Sequence, residues 1–414
     1  MADERAQALD RVAFNPAADG PLKGIRVLDL SRLVAGNMLS LQLADFGADV
    51  IKVESVNGGD TLRQWTQATP GHPEGFDAWW QVYARNKRSV ALDLRCRRAV
   101  ALVRELCRSA HVLVESFRPG TLEAMGLGPE GLHVLNHGMI IVRLSGWGQS
   151  GPYRDLPGFG SLIEGFSGYA LKSGDSEGRP VLPGIALADM VTGLSGAFAV
   201  MTALREVEVR GGQGQVIDLS LLEPMLSIMG PDVTHVAHGG AKPTVGEKIA
   251  SPRGVYRCAD GRWVALSGST DSMARKVFMA IGRPGLFEDE RYRSNAARLA
   301  HDADIEAMLQ DFIGGRTQAA CLEHFQAHGV TVGPVHDAQG VYEDAHVRGR
   351  GVYVAAGDDA VVMHDVVPRM SATPGALRRR APAHGEHTRE VLAELGFSSE
   401  QIADMQAQGQ IKCK

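Results

Sequence analysis

The sequence predicts an α/β protein in two domains, a large one built on a doubly wound parallel sheet and a smaller α+β one. Three observations predict it. Residues Pro21 to Glu54 hold two strands and a helix in one uninterrupted βαβ reading. Strands and helices then go on alternating to about Leu222, and a hairpin pattern appears only after the composition changes around Pro231 to Pro252.

The elements follow in order. Residues 1–20 are charged, then carry Asn-Pro and Asp-Gly, which reads as a peripheral N-terminal arm. IRVLDL and ADVIKVE are strands, with a helix between them on which Leu33, Met38, Leu39, Leu41 and Leu43 have helical apolar spacing. Ser31 is placed to cap that helix and Gly47 to end it, and a right-handed parallel unit follows. RSVALDL, HVLVESF and MIIVRLSGWG continue the strands, and RRAVALVRELCRSA is an amphipathic helix between the first two. Asp189 to Val207 reads as a helix rich in small residues. GGQGQVIDLSLLEPMLSIM gives a turn, a strand and a helix that close the large domain near residue 228.

Residues 229–252 read as a linker and 253–337 as the small domain. GVYRCADGRWVALSG is a hairpin pattern around Asp260-Gly261, a pair suited to the positive φ of a tight turn. Three helical patterns and the strand VTVGPV follow, and residues 338–414 return to the large domain, ending in the helices after GEHTREVLAELG.

Composition narrows the function. The chain has 414 residues, 44% apolar and 22% charged, with a formal net charge of −5, which disfavours a nonspecific nucleic-acid partner. Its five cysteines are scattered, without CxxC spacing or paired histidines, so neither a disulfide framework nor a zinc site is expected and a reducing cytoplasm is. The first residues lack the apolar stretch of a secretory signal. No run approaches the roughly 20 apolar residues that cross a bilayer, so no membrane partner is expected. No Walker lysine accompanies the glycines around Gly212 and Gly214, which read as a turn.

Five further blocks occur in order: NKRSVALDL at 86–94, VESFRPGTLEAMGLG at 114–128, LSGWGQSGPY at 144–153, GQGQVIDLSLLE at 213–223 and GEHTREVLAELGF at 385–397. With the Pro21–Glu54 unit, and over nearly the whole chain, they resemble the family III coenzyme A transferases of the CaiB/BaiF type. That group also includes carnitine-CoA transferases, formyl-CoA:oxalate transferases and α-methylacyl-CoA racemases. The resemblance implies a Rossmann-like large domain and an interlocked homodimer in which each chain threads through its partner. It also implies acyl-CoA and carboxylate substrates, with no tightly bound cofactor and no metal.

The family nucleophile is an aspartate between a strand of small residues and a glycine-containing helix. The matching segment, GIALADMVTGLSGA, makes it Asp189; its other reading is a helix N-cap. The resemblance places coenzyme A contacts at Val34 and Ala35, at Leu92 and Arg95, at Ser116, Phe117 and Arg118, and at Phe159 and Gly160. Arg118 is the best phosphate partner, because a guanidinium matches phosphate oxygens bidentately. His336, His384 and His387 read as surface or capping residues.

Departures refine the expectation. Where the formyl-CoA enzyme has an arginine after the second strand this chain has Ser55, and it has Ala124 where a basic residue is common. A glycine-rich lid has only HGGAKPTVGEK at 238–248 as a counterpart. The His-Asp pair of the racemase branch is Phe159 and Gly160 here, which removes the second base and argues for transfer over epimerisation, unless Phe159 only packs in the core. A racemase using another base and a silent CoA-binding subunit are the alternatives. Small dicarboxylic acids are the expected substrates, with Lys172, Arg179, Lys248 and Arg253 as candidate partners for a second carboxylate.

Overall fold

The structure is a computed structural model that describes residues 9–65, 77–175 and 177–414; of the arm expected over 1–20, residues 1–8 lie outside them, and Arg11–Val12 pairs in parallel with Ala355–Ala356. The chain divides into two compact units, residues 1–245 with 351–414, and residues 246–350.

The larger unit is organised by a seven-stranded sheet. Its strands are Arg26–Leu30, Asp49–Ser55, Lys87–Leu92, Val112–Glu115, Ile140–Ser145, Val216–Ser220 and, at one edge, Ile411–Lys412. Arg26–Leu30 pairs in parallel with Asp49–Ser55 on one side and Val112–Glu115 on the other. Two further parallel strands extend the second side and one extends the first, and only Ile411–Lys412 runs antiparallel, against Lys87–Leu92. The chain therefore winds outward in both directions from the gap between the C-terminal ends of Arg26–Leu30 and Val112–Glu115. Open α/β sheets bind ligands at such a reversal point.

Alternation along the strands explains why both faces are covered. Val27 packs with Leu39, Leu43, Val200 and Leu204 on one face, and its neighbour Leu28 with Leu102, Val103, Leu106 and Val391 on the other. The first helix, Leu33–Asp45, ends where Gly47 adopts φ +110° and the Ala48 N–H bonds back to Leu43, as the glycine there predicts. Its start differs from the expectation. Ser31 does not cap it, because its hydroxyl bonds the Asp29 carboxylate beneath; Asp60, from a distant segment, receives the Leu33 N–H at 3.0 Å instead.

The helix carrying Asp189 spans Leu187–Arg210. At 24 residues it is long and apolar enough to cross a membrane by length and composition, which corrects the expectation that no such run exists. Here its small residues let it press on Leu33–Asp45. A β-carbon on Gly193 would lie 2.6 Å from Met38 Cβ, and one on Gly196 2.5 Å from Leu39 Cδ1.

The smaller unit pairs Trp263–Ser267 antiparallel with both Arg253–Arg257 and Thr331–Val335. The expected hairpin forms, but through a five-residue loop closed by Cys258 N–H to Arg262 O, with Gly261 at φ +80°. Helices Asp271–Ala280, Asp302–Gly314 and Gln318–Ala327 cover the sheet around Val264, Phe278 and Phe325. This unit begins at Gly246 and retains the helices Ala338–Glu343 and Ala345–Gly349, whereas the sequence reading starts the return at 338.

Candidate active site

The turns after Arg26–Leu30 and Val112–Glu115 open at the reversal point of the sheet, and short-range chemistry fixes both. The Arg32 N–H donates to Ser116 Oγ at 3.0 Å, which ties one turn to the other. The second is held from below by buried Glu115, which accepts from the Phe117 N–H at 2.7 Å and from Arg143 at 3.0 Å. Burial pushes the Glu115 carboxyl above its ordinary range, against the pull of Arg143.

A third wall comes from two glycine-bearing loops that abut. Gly146, from LSGWG, stands so close to Gly158 that a β-carbon on it would lie 2.5 Å from Gly158 Cα. Trp147 Nε1 clamps the same loop through Pro157 O at 3.0 Å. The loop then delivers Phe159 and Gly160 to the start of the Leu187–Arg210 helix, where Asp189 is the third residue. Gly160 meets it directly, because a β-carbon there would sit 2.4 Å from Asp189 Oδ2.

Asp189 is not a cap; Ala186 holds that position and no side chain caps the helix. Burial and the like charge of Glu164 raise the Asp189 carboxyl from 3.8 to about 6, while the N–H groups of Ala35 and of Asp189 itself pull the other way. Glu164 is buried and accepts from the Ala188 N–H at 3.1 Å, so it stays beside Asp189.

Asp189 forms part of two adjoining cavities. One, of about 270 Å³, is lined by Ala35, Ser116, Phe117, Arg118 and Phe159, together with Arg32, Arg154 and residues 156–158. The other, of about 530 Å³, runs from Asp189, Glu164 and Gly160 to Trp65, Trp79 and Leu182–Ala186. Leu92, Arg95 and Phe117 line a third, of about 360 Å³, which shares Arg32 with the first.

Most expected contacts, Phe159 among them, therefore gather around Asp189, with two differences. Val34 is buried with Leu62 and Trp80 and lines none of these three cavities. Arg95 is exposed and already bound through two nitrogens to Asp93, at 2.8 and 2.9 Å. Phe159 is 61% exposed in the cavity wall and does not pack in the core.

Arg118 and Arg32 are exposed and make no ion pair with a described residue. Sequence reasoning missed Arg32, although a basic residue two positions past the end of a strand at a reversal point is a readable signal. It also missed Glu164. Of the candidates for a second carboxylate, Lys172 is engaged by Asp232 and Arg179 by Asp175; Lys248, in the smaller unit, is engaged by Asp302 and Glu306. His384 bonds Ser55 O and His387 receives the Ser89 N–H, so both are structural, and His336 faces Asp344 in the smaller unit. Gly214 is also structural, its β-carbon position lying 2.1 Å from Met139 O.

Comparison with known proteins identifies the family. The family model described as CoA-transferase family III matches residues 22–388. The chain is 39% identical to the succinyl-CoA–L-malate CoA-transferase beta subunit of Chloroflexus aurantiacus, over 94% of this chain and 97% of that protein. It is 34% identical to the succinate–glutarate CoA-transferase of Agrobacterium fabrum, over 92% and 97%. Among solved structures, a CAIB/BAIF family protein from Brucella suis superposes with a TM-score of 0.80 at 30% identity, covering 91% of this chain and all of that one.

Proposed function

From the premise that this chain belongs to CoA-transferase family III and is a CoA transferase, we propose that it carries coenzyme A from a succinyl-class thioester to a second small dicarboxylic acid, with Asp189 as covalent nucleophile. One observation carries the reading. A part-buried carboxylate, hemmed by Gly160 and raised to about 6, shares a cavity with two guanidiniums that no carboxylate among the described residues neutralises.

The chemistry follows from those groups. The Asp189 carboxylate attacks the thioester carbonyl; the C–S bond breaks, coenzyme A leaves as thiolate, and an aspartyl–acyl anhydride remains. The thiolate then attacks the aspartyl carbonyl, which expels the donor acid and leaves an aspartyl-CoA thioester. The acceptor carboxylate attacks that thioester to form a second anhydride, and the returning thiolate converts it to acceptor-CoA and frees Asp189. A thioester is exchanged for one of similar energy, so no nucleotide hydrolysis is needed. Backbone N–H groups are the oxyanion donors this scheme requires, and those of Ala35 and Asp189 already act on the carboxylate. Arg118 and Arg32 supply positive charge for phosphate or a distal carboxylate.

The family resemblance extends to an interlocked homodimer. The exposed apolar residues Leu194, Phe198 and Met201, on one helix of the large unit, support a covered face there. Sedimentation giving a stable monomer would count against it.

The test of function is incubation with succinyl-CoA, trapping with hydroxylamine or borohydride, and mapping by mass spectrometry, with L-malate and glutarate as acceptors. Modification at Asp189, absent in Asp189→Ala, is the expected result. Loss of an α-proton to deuterated solvent without acyl exchange would replace this reading with a racemase.

A further inference from the structure

Leu33 lies at the mouth of both cavities that contain Asp189, and its backbone has φ +63°, a left-handed conformation for a bulky residue. Such a conformation is unfavourable for a bulky side chain and persists only where its surroundings impose it. The surroundings here are specific. The Leu33 N–H donates to Asp60 Oδ1 at 3.0 Å, and the Leu33 carbonyl accepts from Asn37 Nδ2 at 2.6 Å. That same Asn37 Nδ2 donates to Asp60 Oδ2 at 2.8 Å, so one carboxylate grips the residue from both sides.

The grip is itself anchored. Asp60 is 2% exposed, lies 3.0 Å from the buried Lys52 ammonium and accepts the Leu62 N–H at 2.9 Å. Lys87 donates to Asn37 Oδ1 at 2.9 Å, which fixes which end of the amide faces Asp60. Burial alone would raise the Asp60 carboxyl, but Lys52, the Leu62 and Leu33 N–H groups and Asn37 hold it below its ordinary range, so the grip stays ionised at working pH.

We propose that Asp60 is a positioning residue for the reaction at Asp189: by holding Leu33 in its strained conformation it aims the Ala35 N–H at the Asp189 carboxylate and sets Arg32 at the cavity. The proposal rests on the transferase reading above. Asp60 does not itself touch the reacting atoms; it acts through the turn.

The test is a double-mutant cycle on the rate of Asp189 adduct formation from succinyl-CoA, measured in wild type, Asp60→Asn, Leu33→Gly and the double variant. Asparagine must turn its amide either toward Asn37 Nδ2 and Lys52 or toward the Leu33 and Leu62 N–H groups, so donor meets donor either way. Lys52 keeps Asp29 and Ser31 O as partners, which favours folding, and a melting curve checks it. Asp60→Glu, which preserves the charge but displaces the oxygens, serves if Asp60→Asn does not fold.

Misplacement of the turn should slow adduct formation about tenfold or more, with the dissociation constant for coenzyme A within about threefold. Glycine adopts a positive φ without being held, so in the Leu33→Gly background the same change should cost less than about threefold. Equal rates in wild type and the Asp60 variants, or an undiminished effect in the Leu33→Gly background, overturn the positioning role while leaving the transferase intact. No adduct in wild type overturns the transferase reading and this role with it.

Discussion

Gly160 and Asp189 are in contact such that a single added methyl would sit 2.4 Å from the carboxylate oxygen Oδ2. That separation is shorter than non-bonded carbon and oxygen tolerate, so either the methyl or the carboxylate must move. The backbone of Gly160 needs no glycine of its own, since its φ is not in the left-handed region. The residue is small because of Asp189.

Gly160→Ala is therefore expected to fold, with a melting temperature within a few degrees of wild type, while adduct formation at Asp189 falls by about tenfold or more. Stopped-flow or quenched-flow kinetics with succinyl-CoA measure the rate, and dissociation of coenzyme A should change little. An unimpaired rate would mean that Oδ2 is not the attacking oxygen.

Activity should follow the ionisation of Asp189. Only the carboxylate attacks, so kcat/KM for the acyl-CoA is expected to rise with pH, reach half its maximum near 6 and level off above. Glu164 raises that value by like charge, and Glu164→Gln keeps an oxygen to accept the Ala188 N–H while removing the charge. The acidic limb should accordingly move to lower pH in that variant. A limb that stays in place would show that the charge of Glu164 does not reach Asp189.

The two cationic candidates for phosphate differ in what they already hold. Arg118 has no carboxylate partner among the described residues, whereas Arg95 would have to release Asp93 first. Loss of one charge-assisted bond to phosphate costs about 1.5–3 kcal/mol, so Arg118→Ala should raise KM for the acyl-CoA about tenfold or more. Arg95→Ala should have the smaller effect, and steady-state kinetics at fixed ionic strength separate the two.

These contrasts mark what the sequence could and could not disclose. The βαβ unit and its Gly47 stop were legible because apolar spacing and a positive-φ glycine are local signals. The proposed role of Asp189 comes from the order of blocks along the chain, not from its own neighbours, which fit a cap equally well. The grip of Asp60 on Leu33 was illegible because 27 residues separate them and the obvious local cap, Ser31, is diverted to Asp29. For Phe159, expected at the site, core packing stayed open as another reading because an aromatic flanked by glycines gives no periodicity. Its exposure depends on Gly146 meeting Gly158 across the fold.

The raised Asp189 carboxyl also links catalysis to stability. In the unfolded chain this group titrates in the ordinary range near 3.8, and in the folded protein near 6, so the fold favours the protonated form. Its favourable contribution is present below the unfolded value and is lost as pH rises through about 6. Above that, the ionised group destabilises the protein by on the order of 2–3 kcal/mol relative to a neutral one. Asp189→Asn removes the charge at nearly constant shape. The variant should therefore melt close to wild type near pH 4 and several degrees higher at pH 7.5, with the gap opening between those values. Circular-dichroism melts across that range read it directly. A gap that does not depend on pH would mean that the ionised carboxylate is as well accommodated as the neutral one, and that burial does not hold the proposed nucleophile in a destabilised state.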